Sequence, residues 1–107
     1  MQLETLKRKS EFNRIYSEGR TASSKFAKFY IQENDLGMMR VGISVGKNVG
    51  NAVTRNRIKR IIKEVLRKIE LNDKGLDLLI VVRKASAGAG YHQLKQVIEN
   101  SLLSAFD

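Results

Sequence analysis

The chain has 107 residues, a formal net charge of +9, no cysteine and one histidine, His92. That length suits a single domain with one modest core, and 42% hydrophobic content excludes a disordered basic tail. Disulfides, thiolate metal sites and a cysteine nucleophile are ruled out, and one histidine argues against a zinc cluster or a Ser-His-Asp apparatus. No apolar run is long enough to span a bilayer, and the polar MQLETLKRKSEFNRIY terminus is helical in pattern and unlike a signal peptide. A cytoplasmic location is expected. The positive balance favours nucleic acid over an anionic membrane surface.

Residues 10–18 read as a first helix. Ser10 is placed to cap it, Phe12, Ile15 and Tyr16 form one face, and Gly19 ends it. Residues 26–33 and 39–46 read as strands, and the Asn34-Asp35-Leu36-Gly37 turn between them predicts an antiparallel pair. In the second strand Val41, Ile43 and Val45 point one way. Arg40, Gly42, Ser44 and Gly46 point the other, and that nearly bare face suits either close helix packing or a ligand backbone. Gly50-Asn51 leads into a long helix reaching about Ile69, and residues 72–75 (NDKG) form a turn. Residues 76–83 (LDLLIVVR) are apolar enough for a strand buried on both faces. Residues 85–90 read as a loop of small residues. Residues 91–106 read as a helix with Leu94, Val97, Ile98, Leu102 and Phe106 on its core face. The expected fold class is α+β, in the order α-β-β-α-β-α, with no repeat or linker.

The long helix carries the functional signal. Its sequence, from KNVG through NAVTRNRIKRIIKE, places Ile58, Ile61, Ile62, Val65, Leu66 and Ile69 on one arc at about 100° per residue. Asn56, Lys59, Arg60, Lys63 and Arg67 gather on an adjacent arc, with Arg55 at its edge. A merely solvated face would mix acidic and basic residues at four-residue spacing, because like charges repel. Here nearly all charges share one sign, and phosphates would relieve the repulsion.

Other classes fit less well. A helix-turn-helix needs a helix just before the recognition helix, where residues 39–46 read as a strand. A membrane-surface helix favours Trp or Phe where this one has Ile, Val and Leu. A self-sufficient enzyme finds no triad, phosphate-cradling loop or metal-ligand spacing; Asp35, Asp73 and Asp77 are scattered. A ribosomal protein or general RNA-binding module shares the charge and the small α/β pattern.

The ordered set RVGISVGKNVG, Asn51-Ala52-Val53 and Arg55 to Lys63 resembles the protein subunit of bacterial ribonuclease P. FNRIYSEG at residues 12–19 and LLIVVRKA at residues 78–85, followed by the last helix, extend the likeness over almost the whole chain. The resemblance implies one RNA-binding domain, residues 1–107, folded as a two-layer α/β sandwich with a mixed sheet and a left-handed β-α-β crossover, against the usual hand. It implies partnership with a catalytic RNA subunit that removes the 5′ leader of precursor tRNA using magnesium ions, an endonuclease whose chemistry lies in the RNA.

Two surfaces follow from the resemblance. Arg55, Asn56, Arg57, Lys59, Arg60, Lys63 and Arg67 match positions facing the catalytic RNA, and the arginine fork suits bidentate phosphate contacts. Asn56 also suits a structural bond near the helix start. Phe12, Tyr16 and Tyr30 match aromatic positions of a cleft for the single-stranded leader, where aromatic faces stack any base; Phe12 also suits plain core. Lys47, Arg83 and Lys84 match basic positions beside that cleft. The chain departs from the family at Asn48, where a second basic residue is common, at Lys63 for arginine, at Ala85 for proline, and in stopping at Asp107 without a basic tail.

Overall fold

The computed structural model describes residues 3–6, 8–69 and 75–106, so the predicted turn at residues 72–74 lies outside the described residues, as does the side chain of Phe106. The strand β5 (Leu76–Val82) organises the rest. Of its side chains only Val81 is partly exposed. A strand buried on both faces must lie inside a sheet. Numbering the other strands β1 (Leu3–Thr5), β2 (Arg20–Ser23), β3 (Ala27–Glu33) and β4 (Met39–Val45), the sheet order is β1-β4-β5-β3-β2. Strands β1, β4 and β5 run parallel, and β3 is antiparallel to both β5 and β2, so the sheet is mixed.

The predicted hairpin between β3 and β4 does not form, because β5 enters between them. The turn joining β3 to β4 is stitched to the start of β5 instead. Asn34 N–H donates to the Gly75 carbonyl at 2.9 Å, and Asn34 Nδ2 donates to Asp77 Oδ1 at 2.8 Å. A Cβ on Gly75 would collide with Asn34 Oδ1, so the close approach requires glycine there.

Period-two alternation sorts the sheet's side chains onto two faces. Leu76, Leu78, Ile80 and Val82 join Ala27, Phe29 and Ile31 of β3 and Met39 and Val41 of β4. Over them pack Ile58, Ile62, Val65 and Leu66 of α2 (Ala52–Lys68), with Ile98 and Leu102 of α3 (Tyr91–Phe106). This is the expected sheet-and-helix core. On the opposite face, Ile15 of α1 (Lys9–Glu18) joins Leu6 and Leu79, flanked by Phe12, Tyr30 and Val81.

Local details correct the sequence reading. The segment Leu3–Thr5, expected to be helical, is a strand because it pairs with β4, a long-range contact that local pattern does not record. Strand β2 has little apolar content to announce it, and its place comes from pairing with β3. Helix α1 begins one residue early, with Arg8 at the cap and Ser10 inside. The Glu11 side chain accepts from Arg8 N–H at 3.1 Å, so the reciprocal part of a capping box does the work assigned to Ser10. Residues 84–88 form a 3-10 helix rather than an open loop, fastened by the buried Ser86, whose Oγ donates to the Phe26 carbonyl at 2.7 Å.

A charged network ties α1 to the sheet. Arg40 of β4 points to the α1 side. Its Nε and Nη2 donate to Asp77 Oδ1 and Oδ2 at 2.8 and 2.7 Å, and its Nη1 reaches Glu11. Hydrogen bonding to Asp77 holds the Arg40 guanidinium above its already high ordinary pKa, despite partial burial. Asp77 is 3% exposed, and these hydrogen bonds satisfy its buried carboxylate oxygens. Arg40→Met should therefore cost about 3 kcal/mol in urea unfolding, the usual scale for stranding a buried carboxylate. A loss below about 1 kcal/mol would show that Asp77 does not need the guanidinium.

Candidate nucleic-acid interface

Helix α2 starts where Asn51 stops extended chain. The Asn51 side chain accepts from Thr54 N–H at 2.9 Å, a standard cap. The structural bond near the helix start thus belongs to Asn51, leaving Asn56 exposed on the outer face. The apolar arc settles where the periodicity put it: Ile58, Ile62, Val65 and Leu66 are buried, with Ile61 and Ile69 partly so. Burying that arc turns the neighbouring arc outward. Asn56, Arg60, Lys63 and Arg67 are exposed, and Arg55 and Lys59 are half-buried.

Arg57 differs from its neighbours. Its guanidinium donates to the Ala89 carbonyl at 3.2 Å and the Ala87 carbonyl at 3.0 Å. It braces α2 against the segment leading into α3. The Nε of Arg55 is buried with no hydrogen-bond partner among the described residues. Sequence spacing treats the two arginines as equivalent, and only the fold separates them.

The second surface lies across the sheet. Phe12 sits on Gly42, where a Cβ would come within 2.6 Å of the Phe12 ring. The bare face of β4 at this point is filled by helix packing. One turn on, Tyr16 is 49% exposed and meets Tyr30 edge-to-face, with ring centroids 4.8 Å apart. Tyr30 itself is half-buried against the Leu6, Ile15 and Leu79 cluster, so of this pair Tyr16 presents the larger aromatic surface to solvent. Lys47 follows β4 and Arg83 follows β5, so both lie at the same end of two parallel neighbours, with Lys84 next to Arg83. All three are exposed, and Arg83 Nη1 donates to the Ser24 carbonyl at 2.6 Å.

The family model for ribonuclease P matches residues 1–105. The chain belongs to the ribonuclease P protein family. It is 41% identical over 101 residues to the ribonuclease P protein component of Caldanaerobacter subterraneus, covering 94% of this chain and 87% of that one. The Clostridioides difficile component is 38% identical over 98 residues, covering 89% and 85%. The Staphylococcus aureus RNase P protein superposes with a TM-score of 0.85 at 30% identity, covering 97% of this chain and 96% of that chain. A mutant of the S. aureus protein, described as having defective mRNA degradation activity, superposes at 0.84 with 32% identity, covering 94% and 86%.

For this member of the family, the structure gathers Phe12, Tyr16 and Tyr30 on one side of the sheet. The cationic face of α2 lies on the far side of the opposite layer. Sequence reading passed over Lys28, whose ammonium lies 5.0 Å from the Tyr30 ring centroid. Its two-residue offset from Tyr30 in a strand was the available signal, since it puts both on one face. Among the described residues no helix is long and apolar enough to cross a membrane. The different environments of the arginines have a measurable consequence. Arg57→Ala should lower stability by about 2 kcal/mol, because two charged hydrogen bonds to buried or half-buried carbonyl groups disappear. Arg60→Ala should stay within about 0.5 kcal/mol, as for exposed sites generally. Chemical denaturation of both variants decides, and equal losses would refute the bracing role.

Proposed function

We propose that this chain is the protein subunit of a ribonuclease P ribonucleoprotein. It binds the catalytic RNA through α2 and the 5′ leader of precursor tRNA through the cleft between α1 and the sheet. It thereby assists magnesium-dependent, RNA-catalysed removal of the leader in the cytoplasm. The observation that carries this reading is the outward cationic arc of α2 in a family member whose opposite sheet face keeps Tyr16 exposed against a half-buried Tyr30.

Arg55, Asn56, Lys59, Arg60, Lys63 and Arg67 form the surface for the RNA subunit. Their cations displace counterions from its phosphates, so affinity falls steeply with salt. Arg57 serves the same surface mainly by holding α2 in place. Tyr16 and Tyr30 stack leader bases, Phe12 seats α1 against Gly42, and Lys47, Arg83 and Lys84 attract leader phosphates. The protein contributes binding and orientation, which lower the barrier by fixing the scissile bond against the RNA.

Among the described residues no three His, Cys, Asp or Glu side chains cluster as ligands. Glu11 and Asp77, which share Arg40, already have their charge compensated.

Reconstitution tests the reading. Protein alone, RNA alone at low magnesium, and the two together are compared on precursor tRNA, with an mRNA substrate added for the protein-alone arm. Cleavage of precursor tRNA should require the RNA and be strongly promoted by the protein. Cleavage of precursor tRNA by rigorously RNA-free protein would overturn the assignment. Arg55→Ala with Arg60→Ala should then reduce the salt slope of RNA-subunit binding by roughly 0.7–0.9 for each phosphate left without its cation. Tyr16→Ala should weaken precursor tRNA binding by about 1–3 kcal/mol while sparing mature tRNA, and Tyr16→Phe should be nearly silent.

A further inference from the structure

Helices α2 and α3 cover the same sheet face but do not close on each other along their whole length. Between them lies a cavity of about 330 Å³. Its apolar walls come from Val65 and Ile69 of α2 and from Leu102 and Leu103 of α3. Leu103 is 62% exposed and marks the mouth. The polar groups of the cavity are Tyr91, Lys68, Lys95 and Glu99. Tyr91 is half-buried, and the Lys68 ammonium lies 5.6 Å from the centre of its ring. Lys68 also pairs with Glu64 at 3.2 Å, and Lys95 with Glu99 at 3.9 Å. Both are solvent-accessible pairs within one helix, so each is weak and yields its ammonium to a more highly charged anion.

We propose that the cavity between α2 and α3 receives one unstacked nucleobase of the RNA subunit, with Tyr91 as its stacking surface and Lys68 and Lys95 as contacts for the flanking phosphates. The proposal rests on the reading that α2 faces the RNA subunit, and adds to it a subsite on the α3 side of that helix. The cavity adjoins the cationic arc. Arg67 precedes Lys68 in the chain, and Arg60, Lys63 and Arg67 are all exposed. RNA held by these cations is already beside the mouth. Glu64 is the one acid of α2, so phosphates meet little repulsion there. The volume lies at the small end of ligand pockets, roughly 300–1,000 Å³, which suits a base with its sugar and not the helix of a partner protein. Apolar walls and an aromatic ring suit the flat face of a base. Bases of loops and bulges are the ones free to be splayed into such a pocket, whereas a duplex keeps its bases stacked. When the flexible Lys68 turns to a phosphate, it uncovers the Tyr91 ring for the base.

A photocrosslink and an affinity series on the reconstituted holoenzyme test the proposal. The chain has no cysteine, so Leu103→Cys gives a single attachment point for a benzophenone at the cavity mouth. Irradiation should join it to the RNA subunit at one unpaired nucleotide. Crosslinks scattered over many nucleotides, crosslinks to precursor tRNA or to a second copy of the chain, or none at all would overturn the proposal. Tyr91→Ala should weaken RNA-subunit binding roughly ten-fold, within the range of one lost base stack, and Tyr91→Phe should retain the affinity. Removing only the base from the crosslinked nucleotide should weaken binding to a similar extent and make Tyr91→Ala silent. Should Tyr91→Ala not fold, Lys68→Gln with Lys95→Gln decides. That pair should reduce the salt slope by roughly 0.7 for each single-strand phosphate lost, and an unchanged slope counts against the cavity. Arg55→Ala with Arg60→Ala is the control for the underlying reading. If it weakens RNA-subunit binding while the cavity variants do not, the cavity is wrong and the reading of α2 stands. If neither set changes the affinity, both fall.

Discussion

The insertion of β5 between β3 and β4 is the constraint from which the other features follow. A strand with apolar side chains on both faces needs cover on both, and the chain meets that need with unequal layers. Helices α2 and α3 bury the larger face. The short α1 buries only part of the other, through Ile15 and Phe12. The uneven cover leaves part of that face open, while the heavier layer turns the charged side of α2 away from it. Two polar surfaces of different character thus arise from one packing requirement.

Each surface is held by a different device. The α1 side depends on electrostatics in a partly dry setting. Arg40 lies between Asp77 and Glu11, joining β4, β5 and α1, and the Asn34 amide completes the coordination of Asp77. The network fixes where α1 sits and hence where Tyr16 points. The α2 side depends on apolar burial and on neutral caps. A helix with so many like charges lacks much of the usual ion-pair support; Glu64 with Lys68 is one such pair, exposed and therefore weak. Its stability comes from Ile58, Ile62, Val65 and Leu66, from the Asn51 cap, and from the Arg57 brace. Arg67 and Lys68 in the last turn also complement the helix dipole. The remaining cations on the outer arc, Arg60 and Lys63 among them, face solvent.

Local pattern made much of this legible. The α2 arcs, the Gly19 stop, the two-sided burial of β5 and the α3 core face all follow from periodicity within one element. Pairing between distant segments did not. The turn at Asn34–Gly37 is hairpin-like by composition, and only the competing claim of β5 redirects it. Strands β1 and β2 are too short or too polar to show without their partners. The same limit applies to the sites. The exposed cations of α2 were readable from spacing, but Arg57 and Arg60 look alike until the carbonyls of Ala87 and Ala89 are in place. Tyr16 and Tyr30 were named by likeness to a family, and their edge-to-face meeting needed the fold. The Arg40 network was missed because it depends on cross-strand register, whereas the link between Lys28 and Tyr30 lies within β3 and could have been read from their two-residue offset.

The two surfaces lie on opposite sides of the sheet, and rigid packing separates them. They should therefore act independently on a shared RNA assembly. A double-mutant cycle with Arg60→Ala and Tyr16→Ala, read as protein affinity for a preformed complex of catalytic RNA and precursor tRNA, measures this directly. Independent surfaces predict additive losses, with a coupling within about 0.5 kcal/mol. A coupling well above about 1 kcal/mol would mean that both residues serve one contact, contradicting the division of labour across the sheet.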